Sequence, residues 1–312
     1  MIPLAEIERA RERIAGAAVR TPLVRLPDTD IWLKLETLQP VGSFKIRGAT
    51  NAIRAASADE LGGGVVTASA GNMAQGVAWA AREAGVPATI VVPDHAPRTK
   101  IEAIERLGGR VIPVPFERWW QTIVESRFDG VEGRFVHPVQ DELVMAGNGT
   151  IGLELVEDLP DVDTVLVPFG GGGLSTGIAS AVKALRPSAR VYGVDPETGP
   201  ALSSAFAERG PVAVEHVPSF VDGSGSRGVL DSMWPYVSDA LDGAYVASLD
   251  ETADAVRLLA ERVRVIAEGA GALGLAVALS GRAGGGRIAC IVSGGNIDFS
   301  VLSRILAGET PR

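Results

Sequence analysis

Residues 164–185 read TVLVPFGGGGLSTGIASAVKAL. A short β-branched run leads into four glycines, Gly170, Gly171, Gly172 and Gly173, and these lead into an alanine-rich segment with helical spacing. Strand, tight turn and helix in that order form the unit of a parallel sheet. The turn falls at the carboxyl end of its strand, where open α/β sheets bind ligands. Residues without Cβ let a phosphate approach the backbone, and the N–H groups at the start of the helix favour its charge. Neither G-x-x-x-x-G-K-[ST] nor G-x-G-x-x-G fits this turn, which argues against a P-loop or a dinucleotide turn.

Outward from this unit the same alternation covers most of the chain. Strands are predicted at 31–35, 64–68, 88–92 and 110–114, and again at 164–168, 190–194, 244–247 and 287–292. Helices are predicted at 45–56, 73–84, 99–107, 149–158, 174–185 and 250–268, the last opened by a Ser248/Glu251 capping box. The pattern predicts an α/β protein of two domains, each a mainly parallel twisted sheet flanked by helices. Residues 53–145 read as a small domain, and residues 1–52 with 146–312 as a large one. Ligand chemistry is expected between the two sheets.

The chain has 312 residues, 46% hydrophobic and 21% charged, with a net charge of −9 and no basic run, so nucleic acid is not an expected partner. No apolar stretch approaches the roughly 20 residues that a membrane span needs. The N-terminus, MIPLAEIERARERIAG, reads as a charged amphipathic helix and not as a signal peptide, so a cytoplasmic protein with no membrane partner is expected. The single cysteine, Cys290, lies in the apolar run RIACIVSGG and reads as core, while the three histidines are His95, His137 and His216. Thiolate and histidine-rich metal centres are thereby excluded. His95 and His137 flank prolines and read as turn residues. Lysine chemistry has four candidates: Lys34, Lys45, Lys100 and Lys183.

Two further polar turns end predicted strands: Ser69, Ala70, Gly71 and Asn72 before a helix, and Ser293, Gly294, Gly295 and Asn296 near the C-terminus. Three such turns at strand ends point to one shared ligand site. A literal G-x-G-x-x-G occurs at Gly223, Gly225 and Gly228, but no buried strand precedes it and Pro235 interrupts the segment after it, so it reads as a decoy. Lys45, in PVGSFKIRGAT, opens a helix in an apolar setting with no acid beside it in sequence. Helix dipole and desolvation both disfavour its ammonium form, and a neutral amine suits Schiff-base chemistry.

Four segments, KLETLQPVGSFKIRGA (34–49), TASAGNMAQGVA (67–78), VPFGGGGLSTGIA (167–179) and VSGGNID (292–298), stand in the order and at the separations of one family. The sequence resembles the fold-type II pyridoxal phosphate enzymes, which are tryptophan synthase β-like in fold, and most closely the serine/threonine dehydratases and serine racemases. The resemblance implies pyridoxal 5'-phosphate as cofactor, joined to Lys45 with Phe44 beside its ring. It implies Asn72 on the ring hydroxyl, Gly170 to Gly173 and Leu174 on the phosphate, and Ser293 at the pyridine nitrogen. Ser69, Ala70, Gly71 and Asn72 would hold the substrate carboxylate.

The implied activity is dehydration and deamination of a β-hydroxy amino acid, such as L-threonine or L-serine, with Lys45 as general base and a homodimer as the assembly. Met73 replaces the histidine that usually follows the SAGN turn. No metal is expected, because the strand that ends Glu-Pro in the family ends Asp195-Pro196 here, with Ala201 near the place of a second acid. Competing readings are a β-replacing synthase of the same fold, an amino acid racemase, a nicotinamide-dependent oxidoreductase and a non-catalytic amino-acid-binding protein.

Overall fold

Ten strands form two separate sheets in the computed structural model, which describes all residues from Met1 to Arg312. The strands are β1 (Leu23–Arg25), β2 (Ile31–Leu35), β3 (Val65–Ala68), β4 (Ala88–Pro93), β5 (Gly109–Val114), β6 (Arg134–Phe135), β7 (Thr164–Pro168), β8 (Arg190–Pro196), β9 (Gly243–Ala247) and β10 (Ile288–Val292). The small sheet has the order β5-β4-β3-β6 and is parallel throughout. The large sheet has the order β1-β2-β10-β7-β8-β9, with only β1 antiparallel to its neighbour. Every residue of β4, β7 and β10 is buried, as parallel strands covered on both faces require. That is why they read as unbroken apolar runs.

All eight predicted strands lie within two residues of their observed bounds, and β2 and β7 coincide with them. Strands β1 and β6, of three and two residues, have too little pattern to be read from sequence. The helix predicted at 149–158 in fact begins at Glu142, where the Asp141 side chain accepts from the N–H groups of Leu143 and Val144. Its glycines are sites of helix crossing, not breaks: a Cβ on Gly147 would lie 2.5 Å from the Arg47 carbonyl oxygen, and one on Gly152 2.8 Å from that of Ile178. The helix predicted at 250–268 stops at Leu258, continues as one wide turn over Leu259–Val263, and ends at Arg264 with φ +64°. A second helix, Gly269–Leu279, is buried on nearly all sides and so lacks the amphipathic period that would reveal it.

Two helices stand at the junction of the two halves. Ala49, Ala52 and Ile53 of the helix Lys45–Arg54, and Val144 of Glu142–Asp158, enter the core under the small sheet, whereas Met145, Ala146 and Ile151 enter that of the large sheet. The domain boundaries expected at 52/53 and 145/146 both fall inside these helices. The first helix is pinned by a buried charge network. The Arg47 guanidinium donates to Glu36 at 2.8 and 2.9 Å and to Glu154 at 2.7 and 2.9 Å, and Glu154 also pairs with buried Lys34 at 2.7 Å. Burial alone would raise the Glu36 carboxyl, yet the adjacent guanidinium holds it below its ordinary value. This network fixes the backbone two residues beyond Lys45.

Candidate active site

The carboxyl ends of β3, β4, β7 and β10 face one cavity of about 520 Å³, a size typical of small-molecule sites. Phe44, Lys45, Ser69 to Asn72, Gly170 to Leu174 and Ser293 all line it. The three turns singled out in the sequence therefore converge. The turn at Ser293 is tied directly to the lysine segment: the Phe44 N–H donates to the Ser293 carbonyl at 3.0 Å, and Ser43 bridges Gly294.

Lys45 is the first residue of its helix, with Nζ 5.0 Å from the centre of the Phe44 ring and 3.4 Å from the Pro138 carbonyl oxygen. The other three lysines are each paired with acids: Lys34 with Glu154, Lys100 with Asp222 and Lys183 with Asp242. Burial lowers the Lys45 amine to about 8, partly opposed by the Glu268 carboxylate. Lys45 is thus a buried amine whose neutral form is favoured by desolvation.

The glycine run leaves no room for side chains. A Cβ on Gly171 would lie 2.4 Å from Val139 Cγ2 and one on Gly173 2.8 Å from the Val139 carbonyl, while Gly172 adopts φ +98°. The helix Gly173–Leu185 starts here, and the N–H groups of its first turn lack acceptors within the helix. Gly223 to Gly228 lies in turns, with neither strand before it nor helix after, so it is no dinucleotide fingerprint. It still reaches the site: Gly225 N–H donates to the Phe169 carbonyl at 3.1 Å, and Gly223 and Ser224 line the cavity.

Asn72 opens the helix Asn72–Ala84, and its amide is held from both sides. Oδ1 accepts from Asn296 Nδ2 at 2.7 Å, and Nδ2 donates to Glu268 Oε1 at 2.7 Å. Ser69 is turned into its own loop, where Oγ accepts from the Gly71 N–H at 3.3 Å. Ala70 and Ser293 complete this side of the cavity.

Glu268, Lys100, Asp222, His95, His216, Phe116 and Trp119 also line the cavity and were not picked out as site residues from the sequence. For Glu268 a signal exists, since it is the one ionisable residue in the run AEGAGALGLAVAL. His95, expected only as a turn residue, stands at the mouth. His137 does hold a turn: its Nδ1 accepts the N–H groups of Val139 and Gln140, both at 3.0 Å, and burial lowers it to about 4. Cys290 is fully buried and its thiol is pushed up by desolvation, as a core residue should be. No helix is long and apolar enough to cross a membrane, and no three His, Cys, Asp or Glu side chains cluster as metal ligands would.

The residues present suit pyridoxal phosphate: a Cβ-free cradle at a helix start for a phosphate, an aromatic face beside a lysine whose amine is held down in pKa, and an amide fixed at the cavity wall. A family model described as "Pyridoxal-phosphate dependent enzyme" matches residues 14–294. The chain is 41% identical to an L-threonine ammonia-lyase of Thermotoga maritima, covering 98% of this chain and 78% of that one. It is 37% identical to a serine racemase of Oryza sativa, covering 95% and 91%. The solved structure of maize serine racemase superposes with a TM-score of 0.88 at 34% identity, covering 98% and 97%. The chain therefore belongs to the pyridoxal-phosphate dependent enzymes, within the fold-type II group of serine/threonine dehydratase-like proteins.

Proposed function

We propose that the protein removes water from a β-hydroxy amino acid such as L-threonine or L-serine and releases a 2-oxo acid and ammonia. The observation that carries this reading is the convergence of the one lysine without an acidic partner at hydrogen-bond distance and three strand-end turns on a single cavity. Relatives named for threonine ammonia-lyase activity support the reaction class.

Bound pyridoxal phosphate supplies a carbonyl for the substrate amine and a ring that draws electrons away from Cα. Gly170 to Leu174 would hold its phosphate, Asn72 its ring oxygen, Ser293 its ring nitrogen and Phe44 one edge. The backbone from Ser69 to Asn72, at the N-terminus of the helix Asn72–Ala84, would orient the substrate carboxylate. Lys45, whose amine burial lowers to about 8, would take the proton from Cα as general base. Departure of the β-hydroxyl as water leaves an enamine, which tautomerises and hydrolyses to the 2-oxo acid and ammonia. The small domain, residues 53–145, is proposed to close over the substrate, and the assembly is proposed to be a homodimer.

The test is borohydride reduction of the purified protein, peptide mapping, and a panel of β-hydroxy amino acids assayed for 2-oxo acid and ammonia. Label on Lys45 and product from threonine or serine are expected, and Lys45→Ala should fold but lose both. Label on Lys34, Lys100 or Lys183 with Lys45 unmodified refutes the reading.

A further inference from the structure

Glu268 stands just before the buried helix Gly269–Leu279 without capping it, and it is itself buried, yet it has no ion pair. Its backbone N–H donates to the Gly294 carbonyl at 3.0 Å, and its only side-chain hydrogen bond is the one that Oε1 accepts from Asn72. The fold makes room for the carboxyl: a Cβ on Gly294 would lie 2.4 Å from Glu268 Oε1, and one on Gly223 3.6 Å from it. A side chain at Gly294 would push this carboxyl out of its place.

The orientation of the contact is over-determined. Asn296 Nδ2 donates to the Val41 carbonyl at 2.9 Å, which can only accept, so the amide nitrogen of Asn296 must face that way and toward Asn72 Oδ1. Asn72 Nδ2 is thereby aimed at Glu268, with one hydrogen given to the carboxyl and a second left over. A carboxyl placed at such expense in a glycine and alanine run, lining the same cavity as Lys45, is poorly explained as packing.

We propose that Glu268 is a positioning residue for Lys45, a buried carboxyl whose charge keeps the amine basic enough to hold the proton taken from substrate while its contact to Asn72 fixes the amide. The proposal rests on Lys45 being the working amine. The ionisable groups that face Glu268 are Lys45 from the helix Lys45–Arg54, Lys100 from Arg98–Arg106 and Asp222 from the loop before Gly223. Those that face Lys45 are Glu268 and His137, and His137 is held neutral. Burial raises the Glu268 carboxyl to about 7, so acid and amine change charge in neighbouring ranges. Desolvation alone would leave Lys45 a weak base, and the nearby carboxylate offsets that.

The experiment is competitive acylation of Lys45 with acetic anhydride from pH 5 to 10, read by peptide mass spectrometry on the full chain freed of cofactor. It compares wild type, Glu268→Gln and Glu268→Asp. In Glu268→Gln the titration midpoint of Lys45 should fall by about one pH unit, giving about tenfold more neutral amine at a fixed pH below both midpoints. Glu268→Asp should stay nearer the wild type. An unchanged midpoint in folded Glu268→Gln overturns the proposal. If Glu268→Gln does not fold, the carboxyl resonance of 13C-glutamate, assigned by its loss in Glu268→Asp, decides: its titration midpoint should rise in Lys45→Ala, which removes the facing ammonium, and an unchanged midpoint overturns the proposal. Acylation needs no cofactor, so this outcome stays separate from borohydride mapping of Lys45.

Discussion

The ammonium of Lys100, on the helix Arg98–Arg106 beside the small sheet, meets the carboxylate of Asp222, on a loop of the large sheet, across the mouth of the cavity. Asp222 is 52% exposed, so the pair contributes at most about 1 kcal/mol to stability. Its position bears on access instead. Asp222→Ala is expected to leave the melting temperature nearly unchanged while raising KM several-fold more than it changes kcat. Equal KM values in steady-state assays of the two proteins would show that the mouth closes without this contact.

Gly171 faces Val139 so closely that a single methyl group must displace the valine side chain. Gly171→Ala is therefore expected to weaken cofactor binding by about tenfold or more, an effect that reaches the phosphate cradle through Val139 and not through charge. The double variant with Val139→Ala should recover most of that loss, a coupling expected of side chains in contact. Titration of cofactor absorbance into the three proteins gives the answer, and additive effects would contradict the contact.

Ala70 lines the cavity one residue before the glycine of the turn, and its methyl group cannot carry a proton. Ser69 is engaged with the Gly71 N–H. Return of a proton to the face of Cα opposite Lys45 then has no donor at this position, so elimination should run with almost no racemisation. Chiral analysis after incubation of an L-substrate in deuterated buffer checks this. Ala70→Ser is the variant expected to gain D-enantiomer, and a wild type that already forms it at the rate of elimination would require another acid.

Asp195, at the end of β8, is buried with one oxygen accepting from the Ser203 N–H at 2.8 Å and the other without a partner. Burial raises its carboxyl from 3.8 to about 7. The native state therefore binds this proton more tightly than the unfolded chain, so its stabilisation is complete below pH 4 and is lost as pH rises through 7. Asp195→Asn should remove that dependence, and its stability should gain on wild type by up to about 1.4 kcal/mol per pH unit between these limits. Urea unfolding at pH 4, 5.5 and 7 measures it; a constant difference would mean that Asp195 does not titrate in this window.

The parallel strands were legible because β4, β7 and β10 are buried throughout and carry apolar side chains apart from Thr89 and Thr164. The same burial hid the helix Gly269–Leu279, in which no polar face marks the turn of the helix. Segments with a distinctive composition, around Lys45, Asn72, Gly170 and Ser293, could be read locally and meet at one cavity. Glu268 and Asp222 take their meaning from partners 196 and 122 positions away in sequence, and no local pattern encodes such distances. The Gly223 turn shows the converse, since its wording suggests a nucleotide while its backbone supports the Phe169 turn.

Strand β10 lies between β2 and β7, so a segment made more than 100 residues after β7 joins two strands that both precede it in the chain. A growing chain on the ribosome can finish the small sheet once residue 135 has emerged, because its four strands are consecutive. Until residue 292 emerges, β1 and β2 have no place in the large sheet, and the segment bearing Lys45 lacks its ties to Ser293 and Gly294. The amine and its complete cavity thus come into being together only when β10 is in place, and a chain released before that point carries the lysine without the finished site.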